Sequence, residues 1–334
     1  MTDWVPVQNR EEYKDLVPLE EYSSDILISK ISYTPQCKFY LVSSIFSYFR
    51  VFLAASEFSS RGLALCTEAI QLCPGYYSAW HYRRQLISHL SLSPVSELQF
   101  VNEISLKNPK NYQIWSYRRE LIELSGTYKG ELEFLEKIFE LDSKNIHAWG
   151  YRQWLIIKFQ LWDEENEYAL RLINQDPYNN SAWNEKIFVS RHNGTFEDAS
   201  LKSKEIEFVL SHCEETTNEC PFNYLRALYS QDFELYIKQR LLKVGKSKGV
   251  FVNLVKIFAH FYEIDQNAVL MKACYSVLEQ IDERRVRFWA WKREFAVGEG
   301  KPKGLDEEIL RFLTFKNVMF EYYMTKSQRT INLA

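Results

Sequence analysis

The short motifs that mark most enzymes are absent from these 334 residues: there is no Gly-x-Ser-x-Gly elbow, Walker loop, His-Glu-x-x-His pair or dinucleotide-binding glycine run. The six histidines, His81, His89, His147, His192, His212 and His260, are scattered through the chain. The six cysteines form no Cys-x-x-Cys pair and show no metal-ligand spacing with histidine. Nothing resembling a secretory leader opens the chain, so reduced, buried thiols in a cytoplasmic protein are the expected state. Basic charge is not in excess either. With 41 Lys and Arg against 44 Asp and Glu, the formal net charge is −3, which removes the electrostatic reason to expect a nucleic acid as partner. Long apolar runs are also missing: the most apolar stretch, Phe39 to Ala55, is crossed by Arg50 and several serines, so no transmembrane segment is expected.

What is abundant is aromatic: 22 Phe, 21 Tyr and 9 Trp, and part of this set is periodic. The segments Tyr77-Ser-Ala-Trp80-His-Tyr-Arg83, Tyr112-Gln-Ile-Trp115-Ser-Tyr-Arg118, Ile146-His-Ala-Trp149-Gly-Tyr-Arg152 and Asn180-Ser-Ala-Trp183-Asn-Glu-Lys186 place a tryptophan three residues before a base. Their intervals are 35, 34 and 34 residues, and a fainter copy around Phe222 follows at 39. A fixed period in this range marks stacked helical pairs, each packing only on its neighbours. The expected fold is therefore all-α, an α–α superhelix: a solenoid of helical hairpins over residues 26–334, with repeats near 62–92, 97–127, 131–161, 165–195 and 200–232 and divergent capping helices over 233–334. Residues 1–25 carry Pro6, Pro18 and dense charge without an apolar stripe, and read as an extended or flexible arm able to dock on a partner.

Each repeat has one grammar. In the third, Leu132, Leu135, Ile138 and Phe139 recur at helical spacing, a polar break follows, and a second helix starts near Asn145 and carries Trp149 and Trp154. Asn111, Asn145, Asn179 and Asn218 all lie four residues before the aromatic anchor, where a side-chain oxygen can take an orphan backbone N–H. Pro74, Pro109 and Pro177 sit where the preceding helix must stop. Tryptophan and the base three residues on share a helix face. The tryptophans are expected to fill the core between repeats, with the base bonding carbonyls or carboxylates of the adjacent turn, and with Tyr82, Tyr117 and Tyr151 as further framework.

One position carries chemistry of its own. Lys110 stands just ahead of an inferred helix start, beside Tyr112 and Gln113, and an ammonium added to free N–H groups suits a phosphate. A solvated loop lysine is the alternative. The equivalent slots hold Gly75, Lys144 and Tyr178, so the repeat itself does not require lysine there.

The segments Ala69 to Arg84, Pro109 to Arg119, His147 to Trp154 and Asn179 to Asn184 together resemble the α subunit of protein farnesyltransferase and geranylgeranyltransferase type I, from about Tyr33 to Trp289. The resemblance implies a crescent-shaped superhelix that wraps a separate β subunit in a heterodimer. In that family the β subunit holds zinc, which activates the cysteine of a C-terminal CaaX protein, and the thiolate displaces diphosphate from farnesyl or geranylgeranyl diphosphate; magnesium can accompany the diphosphate. No cofactor is expected in this chain. By position, the resemblance gives Lys110 the contact to the diphosphate, Tyr112 a neighbouring place, Gln113 the acceptor's terminal carboxylate, and Asn145 and His147 places on the same rim. Ile146 departs from the family's usual tyrosine, and Pro221-Phe222 from its Ala-Trp. A Rab-type geranylgeranyltransferase α subunit and a non-catalytic tetratricopeptide-like scaffold are the competing readings; Lys110-Asn-Tyr-Gln113 favours the CaaX enzymes, and a Trp-x-x-Leu-Gly signature is absent.

Overall fold

A computed structural model of the chain describes residues 5–19, 36–215, 217–229, 234–243, 248–296, 298, 306–309 and 311. No strand occurs among them, and no helix is long and apolar enough to cross a membrane. The chain divides into two compact units, Met1–Gln160 and Leu161–Ala334, and the division falls inside the repeat array, after the third repeat.

In the first unit, α1 (Gln36–Ala55) precedes three hairpins: α2 (Ser60–Leu72) with α3 (Tyr77–His89), α4 (Pro94–Lys107) with α5 (Tyr112–Ser125), and α6 (Glu131–Leu141) with α7 (Ile146–Phe159). Within the most apolar stretch, Phe39 to Ala55, Ile45, Phe46, Phe49 and Phe52 are buried; the side chains of Phe39, Leu41 and Val42 lie outside the described residues. The stretch of the N-terminal arm within the described residues, 5–19, packs on its own chain. Two 3-10 turns, Val7–Asn9 and Glu11–Tyr13, bury Val7 and Tyr13. Arg10 grips Glu68, Arg61 binds Asp15 at 2.7 Å, and Arg50 donates to the Leu19 carbonyl. Arg10 and Asp15 of this segment thus find charged partners on α2, and the Leu19 carbonyl a donor on α1.

The second unit holds α8 (Trp162–Gln175), α9 (Asn180–His192), α10 (Ala199–Glu215), α11 (Cys220–Leu228), α12 (Glu234–Leu242), α13 (Lys248–Ile264), α14 (Ala268–Ile281) and α15 (Val286–Glu294). Its core is continuous from Trp183 through Phe222, Phe258 and Tyr275 to Trp289. Phe222 occupies the tryptophan position of its repeat and is buried like the tryptophans it replaces.

The framework rests on three recurring devices. The first is the cap: Asn111, Asn145 and Asn179 accept backbone N–H groups at the starts of α5, α7 and α9, and Asn218 accepts from Cys220 N. Each such cap contributes about 1 kcal/mol. The second is the indole. Trp80, Trp115, Trp149 and Trp183 donate Nε1–H to the carbonyl six residues back, that of Pro74, Pro109, Ser143 and Pro177, at 2.7 to 2.9 Å. Helices α2, α4 and α8 end two residues before the prolines, as the pattern predicts.

The third device joins consecutive hairpins through buried charge. Arg118 donates from Nε and Nη2 to Glu131, at 2.6 and 2.7 Å, and from Nη1 to Asn102 Oδ1 at 2.7 Å; Glu131 also accepts from Tyr151 Oη at 2.5 Å. Arg83, Glu97 and Tyr117 repeat this one hairpin earlier, and Lys186, Glu205 and Tyr224 do so in the second unit. Burial, then the neighbouring Glu97, push the Tyr117 phenol far up, so it remains a donor. Sequence reading expected carbonyls or carboxylates of the adjacent turn as partners of these bases; the glutamates stand instead on the first helix of the following hairpin. Their only signal was that a buried base on every second helix requires a counter-charge.

Candidate functional site

The five positions singled out in the sequence lie at the N-terminal ends of α5 and α7. Lys110 precedes the Asn111 cap of α5, and its side chain is 77% exposed. Its Nζ stands 3.3 Å from Asp142 Oδ2, the residue that closes α6. Among the described residues Asp142 is its sole ion partner, and a pair this exposed holds a lysine weakly. The ammonium is therefore free to swing to a stronger anion.

The backbone beneath it is held much more firmly. Pro109 O accepts from Trp115 Nε1 at 2.8 Å and from Asn145 Nδ2 at 3.0 Å. Asn145 is buried, and its Oδ1 accepts from His147 N and Ala148 N. One side chain thus caps α7 and fastens the loop carrying Lys110 to the next hairpin. Its place in the geometry is that of a positioning residue.

The other three differ. Tyr112 opens α5 as an exposed residue, and His147 is half-buried in the first turn of α7. Gln113 is 8% exposed, its N–H donating to Asn111 Oδ1 at 2.9 Å. Lys110, Tyr112 and His147 are therefore accessible on one edge, whereas Gln113 and Asn145 sit beneath it. The first positions of α3, α5 and α7 are also exposed and apolar or aromatic: Tyr77, Tyr112 and Ile146, the last at 78%. Asp142 is the local residue that sequence reasoning missed, and its position as the last polar residue before the break was the available signal.

Tryptophan-anchored helical hairpins, linked by buried charge and opening on a capped polar loop, define this chain as a helical-hairpin repeat protein. The sequence profile described as the protein prenyltransferase alpha subunit repeat matches residues 59–90, 94–125, 128–159 and 162–192, each segment containing one of the four tryptophans. The protein farnesyltransferase/geranylgeranyltransferase type-1 subunit alpha of Pisum sativum is 32% identical over 324 residues, spanning 87% of this chain and 95% of that protein. The chain belongs to this prenyltransferase α-subunit family. The Schizosaccharomyces pombe protein of the same name is 31% identical over 118 residues, 35% of this chain and 38% of the yeast protein. In fold, the chain is similar to a chain of Candida albicans protein geranylgeranyltransferase-I solved complexed with GGPP, with a TM-score of 0.70 and 22% identity over 86% of this chain and 100% of that one.

Proposed function

We propose that the chain works as one half of a heterodimeric protein prenyltransferase in the cytoplasm, scaffolding a β subunit and supplying Lys110 to the departing diphosphate. The reaction transfers a farnesyl or geranylgeranyl group to the cysteine of a C-terminal CaaX sequence. A sulfur lone pair forms the new bond to carbon, the carbon–oxygen bond breaks, and its electron pair leaves on the diphosphate. The observation that carries this reading is an exposed ammonium, weakly held by Asp142, on a loop fastened by Asn145 and Trp115. Negative charge grows on the diphosphate oxygens as the bond breaks, so a preplaced cation stabilises the transition state more than the bound substrate.

Tyr112 and His147 line the same edge in this reading, and Gln113 lies at its floor. The acceptor-carboxylate contact given to Gln113 by the resemblance then requires the partner to complete the pocket above it. Exposed Tyr77, Tyr112 and Ile146 face the partner subunit. Among the described residues no group of three or more His, Cys, Asp or Glu is arranged to hold a metal. The zinc implied by the resemblance is assigned to the β subunit, where it would hold and activate the acceptor thiol, with magnesium on the diphosphate.

Co-expression with candidate β subunits, identification of the co-purifying chain by mass spectrometry, and assay on a CaaX peptide test this directly. The expected result is a stable heterodimer whose Lys110→Ala form transfers the prenyl group roughly 10- to 1000-fold more slowly, with the loss of an oxyanion donor as the guide. Wild-type turnover by the paired Lys110→Ala form would remove lysine from the mechanism. Pairing only with a Rab-type β subunit would replace the CaaX assignment. Family membership already displaces the generic tetratricopeptide-like scaffold.

A further inference from the structure

Helices α11, α13 and α15 of the second unit, with Tyr275 of α14, line an open cavity of about 340 Å³. That volume is at the lower end of the range of about 300–1,000 Å³ found for small-ligand sites. Four basic side chains line it: Arg226, Lys256, Arg285 and Lys292. Three carboxylates answer them. Glu263 takes Lys292 at 2.7 Å, Asp282 takes Arg285 at 3.2 Å and Lys256 at 3.8 Å, and Glu219 reaches Lys256 at 3.5 Å and Arg285 at 3.9 Å.

Arg226 stands outside this balance. It is an exposed residue whose Nη1 donates to Asn223 Oδ1 at 3.3 Å and whose Nη2 lies 3.2 Å from His260 Nδ1, a nitrogen that also stands 3.6 Å from Glu263 Oε2; neither direct neighbour carries negative charge. Among the described residues it has no carboxylate partner. The wall therefore carries one positive charge in excess, on a planar guanidinium whose paired donors match a carboxylate. Burial first, and then the nearby Arg285, push the Lys256 ammonium down, against the opposing pull of Asp282 and Glu219. A single excess charge suits a monoanion better than a phosphate dianion.

The rest of the lining is aromatic. Trp289 is buried with its Nε1–H on Asp282, whereas Phe288 is exposed at the mouth. Phe288 continues along α15 into exposed Trp291 and Phe295, with ring centroids 6.2 and 5.5 Å apart in sequence. We propose that this cavity is a binding site for a monocarboxylate bearing an aromatic or branched apolar group, the carboxylate held by Arg226 and the apolar part laid on Phe288. The carboxylate belongs either to a free small acid or to a glutamate side chain of a peptide. The residues lining the site all belong to the second unit.

Fluorine NMR on the full chain tests it, with 4-fluorophenylacetate as the probe and 4-fluorophenylacetamide as its uncharged match. The acid is expected to bind about tenfold more tightly than the amide, as a charge-assisted bidentate contact warrants. Arg226→Gln should abolish that difference, and Arg226→Lys should keep part of it, because charge remains while the fork is lost. Arg226→Gln should keep the wild-type melting temperature, since no carboxylate among the described residues depends on it; Arg226→Lys carries the test if it does not. Equal binding of acid and amide, or a preference that survives Arg226→Gln, overturns the proposal, as does displacement by inorganic phosphate in preference to acetate. Displacement by the blocked dipeptide N-acetyl-Phe-Glu-amide identifies a peptide carboxylate as the natural class, and its failure where phenylacetate succeeds identifies a free acid.

Discussion

Asn145 donates its Nδ2–H to Pro109 O, 36 residues earlier in the chain and 3.0 Å away, and so ties the start of α7 to the loop before α5. The same side chain caps α7 through Oδ1, and the two roles can be separated. Asn145→Asp keeps the capping oxygen and removes the donor, whereas Asn145→Ala removes both. We expect Asn145→Ala to lower unfolding free energy by about 1–3 kcal/mol, combining a lost cap with an unmade buried bond. Asn145→Asp should cost less in stability yet slow prenyl transfer in the paired enzyme by raising the mobility of the Lys110 loop. Urea titration alongside single-turnover kinetics reads the two effects. Equal activity in Asn145→Asp and wild type would confine Asn145 to the cap.

Lys110 should behave in the opposite way. Its pair with Asp142 is exposed, and such pairs are worth about 0–1 kcal/mol. Thermal melting of Lys110→Ala is therefore expected to match the wild type within about 1 kcal/mol, although transfer falls by one to three orders of magnitude. A large stability loss would mean that the loop depends on the lysine itself.

The buried Arg118, Glu131 and Tyr151 set gives the strongest folding prediction. Removing one partner leaves a buried charge uncompensated, so Glu131→Leu should destabilise by about 3–5 kcal/mol. Adding Arg118→Met should restore much of that loss, because an apolar pair of similar volume no longer carries a stranded charge. A double-mutant cycle by denaturant unfolding measures the coupling. Additive losses in the double variant would contradict the account.

Glu263 sets an acid limit on the second unit. Its hydrogen bond to His260, followed by those from Lys292 and Tyr275, holds its carboxyl at about 2, against an ordinary value of 4.5. A depressed acid contributes stability that is complete above the ordinary value and is lost as pH falls towards the folded one. Wild-type stability should therefore decline between about pH 4.5 and about pH 2, and Glu263→Gln should show a shallower decline over that window. Denaturation midpoints at pH 7, 4.5 and 3 follow it. Parallel slopes in the two proteins would remove Glu263 as the source.

Much of this was legible in the chain. The interval between Trp80, Trp115, Trp149 and Trp183 located the hairpins, and the asparagines four residues ahead of the anchors located the caps. These features are local: a helix start needs its own oxygen, and an indole reaches a carbonyl only six residues away. Lys110 stood out because its repeat did not demand it. Less visible were the partners. Nothing in the spacing assigned Arg118 to Glu131, Lys110 to Asp142, or a cavity to the neighbourhood of Arg226, because those pairings join different helices.

By itself, then, the sequence determined an all-helical repeat array, the residues that cap and anchor it, and the lysine slot, since helical period and capping depend on residues within about one turn or one loop of each other. Only the tertiary structure decided that Asn145 is buried as a clamp while Lys110 is exposed beside Asp142, and that Gln113 lies beneath the edge which Tyr112 and His147 present. It also decided that Arg226 has no carboxylate opposite it among the described residues. Burial and charge balance are sums over neighbours brought together by packing, and no stretch of one helix contains them.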